Sequence, residues 1–142
     1  MAFKRILIAV DTSDIGAHAT LVGLELASAL GAKIAFIHVI APAISDGAWF
    51  AFASPELSQA PGIEISQVLE SLKARAPTPA QAVSFVPVGD PAQSITGAAR
   101  DWTADLVVIG SHGREGVDRV LLGSVAEAVA RHAPCPVLIV RK

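Results

Sequence analysis

Leu106-Val-Val-Ile-Gly110-Ser111-His-Gly113-Arg114-Glu-Gly116-Val-Asp-Arg119-Val-Leu-Leu-Gly123-Ser124-Val125-Ala-Glu127 joins an apolar run, a glycine-punctuated loop and the opening of a helical pattern, in that order. This is a phosphate-binding plan. Glycines let an anion approach the backbone closely. The first amides of the following helix lack internal acceptors, so they can donate to phosphate oxygens with the helix dipole behind them. The stretch has no Gly-Lys-Ser/Thr ending and no compact Gly-x-Gly-x-x-Gly, which sets aside the P-loop and the dinucleotide fingerprint. It also contains no lysine.

The spacing that is present, Gly110, two residues, Gly113, nine residues, Gly123-Ser124, resembles the nucleotide-binding signature of the universal stress protein family at every defined position. Similar agreement runs through Val10-Asp11, Ile37-His-Val39, Gly89-Asp-Pro91 and the ending Arg131-His-Ala-Pro-Cys-Pro-Val-Leu-Ile-Val140, and so covers nearly the whole chain. The resemblance implies an ATP-binding member with Mg²⁺ bridging the phosphates, acting as a nucleotide-responsive regulator of the stress response. It implies a nucleotide site built from Asp11, Thr12, Val39, Gly110, Gly113, Arg114, Gly123, Ser124 and Val125. In that family the aspartate lies beside the nucleoside, and the main chain at the position of Val39 meets the adenine edge.

Outward from this stretch the chain alternates strand and helix signals. Strands are expected at Phe3 to Val10, Ile34 to Ile40, Val83 to Val88, Asp105 to Ile109 and Val137 to Val140, each a short run rich in β-branched and other apolar residues. Between them, Asp11-Thr-Ser-Asp14 offers N-caps to a helix whose predicted inner face is Ala17, Leu21, Leu24 and Ala27 or Ser28, ending at Gly31. Ile65, Val68, Leu69 and Leu72 mark a second helix that breaks at Pro77 and Pro79. Gly89-Asp90-Pro91 supplies a turn, an N-cap and a first-turn proline for a third helix with Ile95, Ala98, Ala99 and Trp102 inward. Ser124 to His132 is the fourth. The segment Ala41 to Gly62 shows no clean period, and its Trp49, Phe50 and Phe52 are expected to pack over a sheet edge or a partner subunit.

Alternating elements predict an α/β domain spanning 1–142, with a parallel sheet covered by helices on both faces. The family resemblance implies five strands in the order 3-2-1-4-5, a Rossmann-like fold of the adenine nucleotide alpha hydrolase kind. That order agrees with the chemistry, because ligands in such sheets bind where the strand order reverses. Here that point lies between the first and fourth strands, which leave at Val10-Asp11-Thr12 and Ile109-Gly110-Ser111.

Composition excludes several functions. Thirteen acidic and eleven basic residues give a net charge of −2 without a block of like charge, so no nucleic-acid face is expected. The 52% of apolar residues contains no uncharged run of the ~18–20 that a membrane span needs. Five apolar residues before Asp11 are too few for a secretory signal, and the single cysteine, Cys135, agrees with a reducing cytoplasm. The four histidines are too scattered for a metal cluster; His38 reads as a core or crevice-wall residue without an assigned role.

Each site residue has a plainer reading. Ser124-Val-Ala-Glu127 is also a capping box, in which the serine would accept from the Glu127 amide. Asp11 could only cap a helix, and Arg114 could only be a solvated loop charge. Two other functions compete with the regulator: a nucleotide-free dimeric scaffold of the same fold, and a slow ATPase. Without a lysine or a convincing base, no catalytic residue is assigned. The apolar strand Val137 to Val140 is expected at a sheet edge, where pairing with its own copy would make a homodimer.

Overall fold

Leu7 and Ile8 at the middle of the sheet are fully buried on opposite faces. The computed structural model describes residues 2–11, 14–40, 55–111 and 122–141, with the side chains of 14–16 and 55–64 left aside. Five parallel strands, β1 (Arg5–Ala9), β2 (Lys33–Ile37), β3 (Val83–Phe85), β4 (Leu106–Gly110) and β5 (Val137–Val140), form one sheet in the order β3-β2-β1-β4-β5. The order implied by the family resemblance is therefore the one observed. Four helices connect the strands among the described residues: α1 (Asp14–Leu30), α2 (Pro55–Ala74), α3 (Pro91–Asp101) and α4 (Ser124–His132).

Side chains alternate along each strand, which gives the sheet two cores. Ile6, Ile8, Ile34, Phe36, Leu106 and Val108 pack with α1 and α2, while Leu7, Ala35, Ile37, Val107 and Ile109 pack with α3 and α4. Because both faces are covered, the central strands read as continuous apolar runs. Each fully buried aliphatic side chain contributes about 1.5–3 kcal/mol, so these runs carry most of the stability of the fold.

The helices correct two expectations. On α1 the inner face is Ala19, Thr20, Leu24 and Ala27, whereas Ala17 and Ser28 are exposed and Leu21 is 43% exposed. Gly23 explains the choice: a Cβ there would lie 2.7 Å from Ile8 Cδ1 and 2.9 Å from Cγ1, so α1 approaches β1 more closely than a leucine face allows. On α2, Ile65, Leu69 and Leu72 are buried but Val68 is 41% exposed. This helix begins at Pro55, so 55–62 is helical although its sequence shows no clean period; Trp49, Phe50 and Phe52 lie outside the described residues. On α3, Asp90 accepts from the Gln93 amide at 2.9 Å and Pro91 occupies the first turn, as expected.

At the amino ends of the strands Asp105 fastens β1 to β4. Its carboxylate accepts from the amides of Lys4 (2.8 Å) and Arg5 (3.0 Å), and its own amide donates to the Arg5 carbonyl at 2.9 Å. Arg5 in turn donates through Nε and Nη2 to the Trp102 carbonyl and stacks 4.3 Å from the Trp102 ring centroid. This clamp fixes the register of the two strands whose other ends diverge at the candidate site.

Candidate functional site

The strand order reverses between β1 and β4, because their connections leave on opposite faces, and the carboxyl ends of these two strands therefore open a crevice. β1 leaves the sheet through buried Val10 and half-buried Asp11; β4 leaves through half-buried Gly110 and Ser111, which is 5% exposed. The Ser111 amide donates to the Val140 carbonyl at 2.9 Å, so β4 stays paired with β5 as it enters the loop.

At the far side of the loop the Gly123 amide donates to the Ser111 carbonyl at 2.6 Å. That bond places the amino end of α4 directly over the exit of β4. Gly123 has φ −62° and ψ 152°, extended geometry open to any residue, and it is the N-cap of α4: its carbonyl accepts from the Glu127 amide at 2.9 Å. The expected Ser124 capping box is therefore absent. Ser124 is the first helical residue, and the Glu127 carboxylate bonds Arg131 at 2.8 Å instead of reaching back to the cap. With the Gly123 amide engaged, the amides of Ser124, Val125 and Ala126 are the first-turn donors without intrahelical acceptors. They are the groups that could hold a phosphate, with the helix dipole aligned behind them.

β2 bounds the crevice beyond β1. The β1–β2 ladder runs to a last rung in which the Val10 amide donates to the Ile37 carbonyl at 2.8 Å. The ladder between β2 and β3 continues further: the amides of His38 and Ile40 donate to the carbonyls of Phe85 (3.0 Å) and Pro87 (2.9 Å), and the Gly89 amide donates to Ile40 (3.0 Å). Past Ile37, then, β2 stays with β3 and parts from β1. His38 Nδ1 spans the opening, 2.9 Å from the Val10 carbonyl; a carbonyl only accepts, so Nδ1 carries the proton.

Asp11, Val39, Gly110, Gly123, Ser124 and Val125 thus lie along one edge of the sheet, at the exits of β1, β2 and β4 and the start of α4. Thr12, Gly113 and Arg114 lie outside the described residues. Two participants were not assigned from sequence. Ser111 anchors the loop through its main chain, which leaves no side-chain signature, and His38 binds a carbonyl that only the register brings near. Among the described residues no group of three or more His, Cys, Asp or Glu side chains could hold a metal ion.

Other features lack this convergence. A concavity of about 330 Å³ lined by Leu21, Leu24, Glu25, Ser28 and Arg75 lies in the outer groove between α1 and α2, away from the strand exits. Cys135 is half-buried against the α3/α4 core, and burial, followed by the nearby Asp105 charge, raises its thiol above the ordinary range; it is a packing residue and not an activated nucleophile.

Comparison with known proteins agrees with this fold. The sequence profile of the universal stress protein family matches residues 2–141. The universal stress protein MJ0531 of Methanocaldococcus jannaschii is 34% identical over 146 aligned positions, covering 99% of this chain and 83% of the relative. The structure of universal stress protein UspA from Lactobacillus plantarum superimposes with a TM-score of 0.80 at 25% identity, covering 99% of each chain. A universal stress protein crystallised in complex with cAMP superimposes with a TM-score of 0.69 at 27% identity, covering 99% of this chain and 98% of that one.

Proposed function

This chain belongs to the universal stress protein family, and from that footing we propose that it binds ATP with Mg²⁺ in the crevice between β1 and β4 and serves as a nucleotide-responsive regulator in the cytoplasm, its residues 1–142 acting as one domain. The observation that carries the proposal is the 2.6 Å bond from Gly123 to Ser111, which holds the first-turn amides of α4, without intrahelical acceptors, at the mouth of the crevice. The relative crystallised with cAMP supports an adenine nucleotide as the ligand class. In this reading Ser124 and Val125 meet phosphate, Asp11 and Thr12 flank the nucleoside, and the Val39 main chain meets the base. Gly110, Gly113 and Arg114 line the phosphate loop.

Mg²⁺ would supply charge neutralisation between phosphates. The chain's own contribution is binding and orientation. No lysine lies in the loop and no convincing base is found among the described residues, so turnover is expected below roughly one per second, beneath the ordinary enzyme range.

Calorimetric titration of the purified protein with ATP, ADP, AMP and cAMP, with and without Mg²⁺, tests the proposal. A micromolar dissociation constant corresponds to about −8 kcal/mol, and ligand at a hundredfold excess over it stabilises the fold by about 2.7 kcal/mol. No binding of any adenine nucleotide at millimolar concentration overturns the reading. It would favour instead a nucleotide-free dimeric scaffold using the exposed β5 edge.

A further inference from the structure

We propose that His38 is a positioning residue that makes this crevice read adenine, by taking the Val10 carbonyl and thereby releasing the main-chain amide of Val39 to the base. The proposal rests on the nucleotide-binding reading above, and it follows from the bookkeeping of a single ladder. In a parallel pair, a residue on one strand donates to the residue before its partner and accepts from the residue after it. Lys33 donates to Lys4 at 2.8 Å in this register, and Val10 donates to Ile37 at 2.8 Å. The next rung would run from the Val39 amide to the Val10 carbonyl.

That rung is not made. His38 Nδ1 occupies the Val10 carbonyl at 2.9 Å, and among the described residues the Val39 amide has no acceptor. The amides on either side, His38 and Ile40, point to β3 and are bonded to Phe85 and Pro87, so the Val39 amide faces the β1 side, toward the crevice. Its side chain packs into the α3/α4 core, which fixes the main chain where it stands. One side-chain donor has been exchanged for one main-chain donor. Val10 is 7% exposed, and its carbonyl would be left unsatisfied if neither donor were present.

A lone N–H placed opposite N1 selects a base whose N1 accepts. Adenine presents an unprotonated N1, whereas guanine and hypoxanthine carry N1–H there and would have to slide along their edge to bring the O6 acceptor to the amide, losing the position that the phosphates and sugar set. The wild-type protein should therefore bind ATP more tightly than ITP, the two differing on that edge and sharing the triphosphate.

The test compares His38→Asn with His38→Phe. Asn places an amide donor at the δ position that Nδ1 now occupies, and Phe fills the ring volume without a donor. His38→Phe should let the Val39 amide close the missing rung, cutting the ATP:ITP affinity ratio by roughly tenfold, the value of one hydrogen bond, while triphosphate binding persists. His38→Asn should restore the ratio. The opposite pattern, Phe retaining the ratio and Asn losing it, would assign His38 to packing and overturn the proposal. Hydrogen exchange at the Val39 amide, read by NMR without nucleotide, separates this from failure of the binding reading. The amide should exchange quickly in the wild type and become protected in His38→Phe. Protection in the unliganded wild type would overturn the role of His38 even if ATP binds. Fast exchange in a protein that binds no nucleotide would leave the released amide standing and overturn its use for a base.

Discussion

The Gly123 amide donates to the Ser111 carbonyl at 2.6 Å, so the chain leaves β4 and returns to almost the same point before α4 begins. A glycine is not needed for the backbone angles there, since φ −62° and ψ 152° suit any residue. On the proposed nucleotide reading the absence of a side chain serves access, and substitution should leave the fold intact.

Gly123→Val should keep the wild-type melting temperature within a degree or two and abolish the thermal shift that millimolar MgATP produces. Ser124→Ala should weaken that shift. Because Gly123 and not Ser124 is the N-cap, Ser124→Ala should change baseline stability by less than ~0.5 kcal/mol, where loss of a serine cap would cost about 1 kcal/mol. Melting curves with and without MgATP check both. A full MgATP shift in Gly123→Val would remove the argument from backbone access.

Two helices end in the same motif with different residues in the left-handed position. Gly31 (φ +64°) closes α1, with Ala32 donating to Ala27 at 2.9 Å; Thr103 (φ 55°) closes α3, with Ala104 donating to Ala99 at 2.8 Å. A β-branched residue is strained there by about 1–2 kcal/mol, and glycine returns about half of that relief as unfolded-chain entropy. Thr103→Gly should stabilise the protein by about 0.5–1 kcal/mol and Gly31→Ala destabilise it by about 1 kcal/mol, measured by urea denaturation. Equal and opposite signs from the same motif make the pair informative.

Asp105 both clamps β1 to β4 and, by its charge, adds to the upward shift of the Cys135 thiol. Removing the carboxylate in Asp105→Ala should cost about 1–3 kcal/mol, the loss of two charge-assisted bonds to main-chain amides at a partly exposed site. The thiol, held above its ordinary range chiefly by burial, should react with a disulfide reagent at pH 8 more slowly than free cysteine does. Its folded pKa is raised, so the folded state holds the proton longer: the associated stability is complete below the unfolded thiol's pKa and is lost as pH rises through the folded value. Cys135→Ala should remove that alkaline decline, seen as the difference between two pH–stability curves.

β5 is an edge strand, and Leu138 on it is 36% exposed while Ile139 packs into the α3/α4 core. If two copies pair along this edge, Leu138→Asp should shift sedimentation from dimer toward monomer at micromolar concentration without lowering the melting temperature of the monomer. A wild type that sediments as a monomer at that concentration would exclude the pairing. Ile139→Asp is the poorer probe, because it also places a charge in the core.

By itself the sequence determined the strands of the sheet and the place where α4 begins after the glycine-rich stretch. Runs such as Ile6-Leu-Ile8 and Leu106-Val-Val-Ile109 can be apolar on every residue only where both faces are buried, and glycine spacing and Asp90-Pro91 are chemical signals that need no partner to be read. Tertiary structure alone decided which face of α1 turns inward, because Ala, Gly and Leu recur all round that helix. The close approach of Gly23 to Ile8, and not the hydrophobic period, selects among the faces. The N-cap of α4 was decided in the same way. Gly123 wins over Ser124 because Ser111 fixes where the chain re-enters the sheet edge. The exchange of His38 for Val39 at the Val10 carbonyl belongs to the same class: it involves main-chain groups on two strands far apart in sequence, and a main-chain donor is identical in every residue but proline. Only the register that brings those strands together can show which one is left free.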